Sequence, residues 1–557
     1  MIMNPTLGLF VPSKRDFVAR SRSVMTERFG GLQMADYTDF LFSDGPGQKK
    51  RRNEGKLLGG LDDTGGSSSS FEVNFLGDAQ RPALVLWCSF VDGIDRGITL
   101  PLLYTLKSRY LMSQVTASAL IGISHVPWLF KPFLGLLTDT VPIYGLRRKP
   151  YIIASAGFNV LALSLIAYSQ AHVLGGLVVP LSLMLVRTFG RAMIDATSQG
   201  LLLEECRDTA SGEISDQART SVMVSRFQAA HRLGQFLSVC SAGMFLSRGS
   251  LTPIYVTIAC MHAGTMLIAW ATFEEPVVSS NFEEISIIPK LGEKFNNLTL
   301  AVSSSQPFRN VLEYAFLSVA VPSFEGPMTY YLLDARHFSL SDISLVNVVM
   351  TSGSLIAPVL YAQFFQRTKY STLMTGLTIA SIPVGLTPLL ITTGFAARQG
   401  LDEVAIASFS AFMVVIVNDL QMLPAHVLVA QLAPKGLEGS SLSVLSLVVD
   451  SGRVISNSLS SVLPIVVGAA APKYTRMSLY IALCTLFNVG PFSAIDGFDE
   501  GVEPIKVEEL VQRNDTPTLG AVIKHAQGLS PGSPMSSDAS PIAQVKINSS
   551  QPSSETN

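Results

Sequence analysis

Between about residues 81 and 495 the chain alternates apolar runs of roughly 18 to 28 residues with short polar interruptions. Each run is long enough to cross a hydrocarbon core, which takes ~20 helical residues. The runs fall at about 83–105, 116–137, 151–169, 173–203, 221–246 and 251–273. After a polar stretch from about 274 to 306 they resume at 308–330, 340–364, 371–395, 403–427, 440–467 and 474–495. The pattern predicts an all-α integral membrane protein of twelve transmembrane helices in two six-helix bundles, 81–273 and 307–495, joined by a central loop over 274–306. Six plus six is the layout of two related halves moving about a site near the midplane. Residues 1–80, with the basic run Lys49-Lys50-Arg51-Arg52 and a serine tract at Ser67 to Ser70, and the Ser/Pro-rich residues 496–557 are too polar to bury a core and read as disordered tails.

Composition agrees with a lipid-facing chain: 48% of residues are hydrophobic and 15% charged, where soluble domains carry about a quarter charged residues. A net charge of −2 gives no reason to expect a nucleic-acid partner. The five cysteines, Cys88, Cys206, Cys240, Cys260 and Cys484, lie scattered in apolar runs without metal-ligand spacing. No secretory signal pattern opens the chain. Nucleophile elbows, phosphate-binding glycine loops and HExxH are absent from the sequence, so the expectation is a non-enzyme without cofactor or metal, not driven by ATP. Arg147, Arg148 and Lys149 after the second run, with Arg367 and Lys369 at the equivalent place in the second half, predict that these loops and both termini are cytoplasmic. The sequons at Asn297, Asn514 and Asn548 are then expected to stay unglycosylated.

The second run and its loop read HVPWLFKPFLGLLTDTVPIYGLRRKPYII, His125 to Ile153. This resembles the folate-biopterin transporter family of the major facilitator superfamily, whose pattern at this loop is matched by Pro127, Trp128, Lys131, Pro132, Gly135, Asp139, Pro142, Gly145, Arg147, Arg148 and Tyr151. Further likeness runs through Asp195 to Arg207 and Pro424 to Gly439. The resemblance implies a major facilitator fold and secondary active transport of folate- or biopterin-type pteridines by alternating access. Protons are the expected coupling ion, and the plasma membrane, or else an organelle membrane, the expected location. Another charged metabolite, S-adenosylmethionine for instance, is the alternative cargo, and a non-transporting receptor or scaffold the alternative of another class. Physically, Gly135 lets neighbouring helices approach, Asp139 can meet a helix N-terminus or an arginine, and Gly145, Arg147 and Arg148 complete a loop able to latch a gate at the membrane surface. The other reading of the basic cluster is a topology signal alone.

Ionisable residues inside the spans cost roughly 2.5 to 3.5 kcal/mol each on the insertion scale, so they are candidates for function. Asp92, Asp95 and Arg96 share one face of the first run by spacing, and Asp92 can pair with Arg96. Arg187, Arg191 and Asp195 repeat the device in the fourth, with His231, Arg232 and Gln235 in the fifth, Glu325 in the seventh, Asn418 and Asp419 in the tenth, and Asp450 and Arg453 in the eleventh. Asp92, Asp95, Arg96, Arg191, Arg232 and Asp419 are the substrate-binding candidates: a carboxylate such as Asp95 or Asp419 can accept the two N–H groups of a pterin edge, and Arg191, Arg232 or Arg96 a glutamate tail. Arg187, Asp195, Asp450 and Arg453 join the gate candidates. The alternative is that five acids and five arginines merely neutralise one another.

Overall fold

The computed structural model describes residues 68–96, 126–171, 178–207, 217–246, 252–274, 287–470 and 474–495, with isolated positions between 120 and 124. Residues 1–67 and 496–557, the end of the first apolar run and the start of the second lie outside the described residues, as do Asn514 and Asn548.

The described chain is helical. Its elements are α1 Ser68–Asp95, a 3-10 turn Val126–Phe130, α2 Lys131–Thr140, α3 Lys149–Ala171, α4 Val178–Cys206, α5 Gln217–Leu246, α6 Thr252–Ala271 and α7 Ile287–Ser304. Then follow α8 Gln306–Val319, α9 Glu325–Asp334, α10 Leu340–Leu360, α11 Tyr370–Gly385, α12 Glu403–Leu432, α13 Glu438–Val467 and α14 Met477–Phe487. Among the described residues six stretches are long and apolar enough to cross a bilayer: Lys149–Ser169, Thr252–Ala271, Ser341–Phe365, Tyr370–Thr392, Glu403–Leu432 and Met477–Ala494. Helices α1, α4, α5 and α13, of 28 to 30 residues, are as long but carry the intramembrane charges. At 1.5 Å per residue each spans about 40 Å. Trp270, Phe364, Ile465, Val466 and Leu486, all at least 66% exposed, belong to an apolar outer surface suited to lipid.

Three features depart from the even pattern of runs. The helix entering the first run starts at Ser68, inside the stretch read as tail, and carries the polar segment Gly77 to Pro82 before the apolar run begins. The central loop holds an amphipathic helix, α7: Leu291, Lys294, Leu298 and Ala301 recur at helical spacing, and Leu298 packs with Leu136 of α2 and Leu437 before α13. The seventh run is two helices, α8 and α9, interrupted around Pro322. Backbone groups freed by that break must find partners away from water. Ser456 donates its hydroxyl to the Val321 carbonyl at 2.6 Å, Ser460 Oγ accepts from Ser323 N at 2.7 Å, and Tyr480 donates to the Ser323 carbonyl at 2.9 Å.

Close packing rests on small residues. A Cβ on Gly93 of α1 would stand 2.0 Å from the His231 carbonyl of α5, and one on Gly234 2.1 Å from the Phe90 carbonyl. The two helices therefore touch backbone to backbone, which brings His231 and Arg232 to the depth of Asp92 and Asp95. Contacts between the halves run mainly along α2 with α13 and α5 with α10.

Candidate functional site

The first-half charges form a connected buried chain. Asp92 accepts from Arg191 Nε of α4 at 2.5 Å and lies 3.2 Å from His231 Nδ1 of α5. Asp95 lies 2.5 Å from Arg187 Nη2, 3.2 Å from Arg191 Nε and 3.8 Å from His262 Nε2 of α6. Asp195 is ion-paired with Lys131 of α2 and accepts from its own neighbour Gln199 Nε2 at 3.2 Å. Spacing on α1 explains the division of labour. At about 100° per residue, Asp95 and Arg96 point about 100° apart, with Asp92 between them. Asp95, 0% exposed, turns toward α4 and α6, whereas Asp92 and Arg96 reach the central cavity.

That cavity, about 960 Å³, lies between the halves. One wall carries Asp92, Arg96, Arg191, Asp195 and Lys131; the other carries Glu325, Asp419, His426, Asp450 and Arg453. Arg232 bridges them, donating to Asp419 Oδ1 at 2.7 Å and to Gln235 Oε1 at 3.0 Å. The second carboxylate oxygen, Asp419 Oδ2, is buried with no hydrogen-bond partner among the described residues. Arg453 and Asp450, three residues apart on α13, pair at 2.8 Å. Trp128 stands in the wall with Lys131 Nζ and the Arg191 guanidinium each 5.2 Å from its ring. Five of the six substrate candidates therefore reach the cavity, and the sixth does not: Asp95 is committed to Arg187 and Arg191 behind the wall, so its expected place at a pterin edge is withdrawn. Arg187 shares that buried position and lines no part of the cavity.

Beyond one end of the cavity a buried polar cluster, here called the latch, ties α2 to α13. Helix α13 begins after Leu437, whose side chain cannot cap it. The cap comes from the other half: Asp139 at the end of α2 accepts from Ser440 N at 2.9 Å, Ser440 Oγ at 2.7 Å and Gly439 N at 3.3 Å. Arg148 donates to Asp139 at 2.6 Å, to Thr138 Oγ1 at 2.8 Å and to Glu204 at 3.0 Å. Glycines give it room: a Cβ on Gly200 would stand 2.6 Å from the Arg148 guanidinium carbon, and one on Gly135 2.7 Å from the Gly439 carbonyl. Burial works against the Arg148 charge, but Asp139 and Glu204 outweigh it and hold the guanidinium above its ordinary value. Burial pushes the Glu204 carboxyl up in spite of Arg148, and pushes the Lys294 ammonium down in spite of Asp139.

Gly145 has a turn role. Tyr144 and Gly145 both take positive φ, 55° and 79°, and Ile143 and Leu146 exchange backbone hydrogen bonds of 2.9 and 3.0 Å across them. The reversal returns Arg148 toward Asp139. Arg147 contributes its backbone N–H, which with those of Arg148 and Lys149 donates to the Glu274 carboxylate at 2.7 to 2.9 Å. Glu274 thus caps α3, and Lys149 reciprocates by donating to the Trp270 and Thr272 carbonyls at the end of α6.

Several participants carried no assigned role in the sequence. Lys131 was visible only as a motif position and His231 only by depth. Lys294 and Glu274 sat unmarked in a polar stretch, yet Lys294 of α7 donates to the Asp139 carbonyl at 2.6 Å and the Gly436 carbonyl at 2.9 Å. Arg207 adds another tie across the halves, to the Ala433 carbonyl at 3.1 Å and Glu438 at 3.3 Å. Among the described residues no cluster of three His, Cys, Asp or Glu could hold a metal ion.

The family model described as the BT1 family matches residues 92–493. The chain is 25% identical over 438 residues to the "Folate-biopterin transporter" of Synechocystis sp., covering 78% of this chain and 84% of that one. It is 21% identical over 427 residues to "Folate transporter 2" of Plasmodium falciparum, covering 75% and 88%. Among solved structures, the major facilitator proton:xylose symporter XylE aligns with a TM-score of 0.53 at 13% identity, over 79% of this chain and 99% of that one. The fold is therefore that of the major facilitator superfamily.

Proposed function

The chain belongs to the BT1 family, and from that premise we propose that this multi-pass membrane transporter carries folate- and biopterin-type pteridines by alternating access, with protons as the coupling ion. The observation that carries the reading is the cavity: about 960 Å³, within the range of small-molecule sites, with unlike charges on facing walls and an aromatic ring between. Asp419 lines the cavity, and its carboxylate, oriented by Arg232, suits the N–H donors of an aminopyrimidinone edge. Arg96, Arg191 and Lys131 on the facing wall suit the carboxylates of a glutamate tail. Biopterin, which lacks the tail, would use the first subsite and the ring contact alone.

The latch end is taken as cytoplasmic, since it carries Arg147, Arg148 and Lys149. In that orientation the described geometry corresponds to a state shut toward the cytoplasm, with Asp139 holding α2 to α13. Opening the latch exchanges the cap on α13 for water.

The test is uptake of radiolabelled folate and biopterin into cells lacking their own pteridine carriers, at two external pH values, with and without the protein. Saturable, acid-stimulated uptake is the expected result. A correctly inserted protein that takes up neither compound would overturn the substrate reading and leave the fold untouched.

A further inference from the structure

The pair Lys131–Asp195 differs from the other buried ion pairs in how it is held. Asp92 and Asp95 each face a guanidinium at 2.5 Å, and Asp95 faces a second at 3.2 Å. A guanidinium stays charged at any working pH and is fixed by several donors, so these carboxylates stay ionised and occupied. Among the described residues Asp195 has one direct ion pair, with the Lys131 ammonium, supplemented by the Gln199 amide and the more distant Arg191. Lys131 is only 1% exposed but lines the cavity, as does Asp195. It also donates to Ser446 Oγ of α13 at 2.9 Å, so its ammonium is shared between a carboxylate of its own half and a hydroxyl of the other.

Resting on the pteridine-transport reading, we infer that Lys131 and Asp195 form the substrate-responsive proton-coupling pair for folate-type cargo: a carboxylate of the glutamate tail takes the Lys131 ammonium, and the released Asp195 carboxylate binds one proton from the aqueous side the cargo came from. No covalent bond other than the O–H forms, and the proton departs when the cargo leaves and the pair re-forms. The surroundings favour this exchange. Asp92 and Cys88 of α1 face Asp195 together with Arg191 and Gln199 of its own helix, while His426 of α12 and the Trp128 ring stand by Lys131. A buried carboxylate that loses its cation beside a second carboxylate neutralises by taking up a proton. The same exchange reaches the gate. Lys131 and Asp139 are eight residues apart on α2, about 12 Å along its axis, and both tie α2 to α13. Moving Lys131 onto cargo removes its Ser446 tie and leaves Asp139 as the principal hold on that seam.

The experiment uses the full chain in proteoliposomes and reads the ratio of folate uptake with an inward proton gradient to uptake without one. Wild type is expected to show a stimulated ratio, D195N none whatever its absolute rate, and D195E a restored one. K131M should raise the KM for folate about tenfold more than that for biopterin, the loss of one charge-assisted contact, and K131R should recover most of the difference. A wild-type ratio in D195N, or equal KM changes for the two compounds in K131M, overturns the inference. Wild-type protein that accumulates neither compound counts against the pteridine reading alone. The pair is then judged without cargo, on the fluorescence of Trp128 in a W87F/W270F background. An acid transition that D195N abolishes supports it, and one that persists in D195N overturns it.

Discussion

Replacing Asp139 by Asn tests the latch with almost no change of shape. Asp139 accepts three hydrogen bonds across the seam, from Ser440 N, Ser440 Oγ and Gly439 N, the last long at 3.3 Å. Bonds to a charged acceptor contribute roughly 1.5 to 3 kcal/mol each and those to a neutral one about 1. An amide offers one oxygen, so Asn retains about one of the neutral kind. Arg148 keeps Glu204 and Thr138, both of its own half, which limits the cost of the change to the protein as a whole. With the long bond left out, two charged bonds give way to one neutral one, so the cross-seam loss is about 2 to 5 kcal/mol, on the order of 30- to 5,000-fold in the equilibrium between shut and open. Spin labels at Tyr144 and Lys435, both exposed at the latch end, report the separation of α2 and α13 by pulsed electron resonance once the five native cysteines are replaced. In the absence of cargo the D139N distribution should move to longer distances. G135A, whose new methyl would meet the Gly439 carbonyl at 2.7 Å, should move it the same way. An unchanged distribution in both variants would refute the assignment of Asp139 as the hold on the gate.

G93A should lower thermal stability by about 1 to 3 kcal/mol, because backbone rather than a movable side chain stands 2.0 Å from the added carbon. G157A, which meets nothing within 4 Å, should instead leave stability the same or raise it by about 0.5 to 1 kcal/mol in a paired melting experiment. For Glu204 the sign follows from its raised carboxyl: its stabilising contribution is full below the ordinary value of 4.5 and is lost as pH rises through the raised one. The Tm of E204Q minus that of wild type should therefore increase as pH is raised from 4.5 through the raised value, and a flat or falling difference would contradict the burial argument. Asn297 lies on α7, the helix docked against the latch, so expression in a glycosylating host should give no glycosidase-sensitive mass shift. A shift would reverse the orientation assigned to both ends.

How much of this was legible in the sequence depended on whether the cause was local. Apolar runs located the helices because lipid selects on length and composition, and α3, α6, α11 and α12 fall close to the runs that predicted them. The meeting of Asp139 with a helix N-terminus was readable in kind, since a carboxylate at a helix end needs such a partner. Which helix it caps was not, because Ser440 lies 301 residues away. Asp92, Asp95 and Arg96 were placed on one face by their spacing. A face some 100° wide nevertheless spans both a cavity and a helix contact, and Gly93 against His231 decides which residue sees which. Lys131 carried no sign of its bond to Asp195, and α7 was masked by its polar residues, since amphipathic helices bury only a stripe.

The distribution of polar ties bears on how the halves could move. In the first half, ion pairs cross-link α1 to α4 and α2 to α4, the His231 ring of α5 contacts Asp92 of α1, and Glu274 and Lys149 clamp α3 to α6. The pairs of Asp95 with Arg187 and Arg191 are buried behind the cavity wall and hold α1 to α4 most firmly. The second half is interrupted at Pro322, at the π turn Tyr361–Phe365 and after Gly385, and hydroxyl and backbone contacts rather than buried ion pairs hold its breaks. Between the halves the described polar ties are few and individually replaceable: the Asp139 cap, Lys131 to Ser446, Arg207 to Ala433 and Glu438, and Arg232 to Asp419, with Gln217 and Ser221 reaching the Thr368 and Gln366 carbonyls. Of these, Lys131 and Arg232 border the cavity, so their partners compete with whatever enters it. Under the proposed alternating access, a cross-linked half, a jointed half and seam contacts that cargo can displace would give binding energy a direct route to the gate.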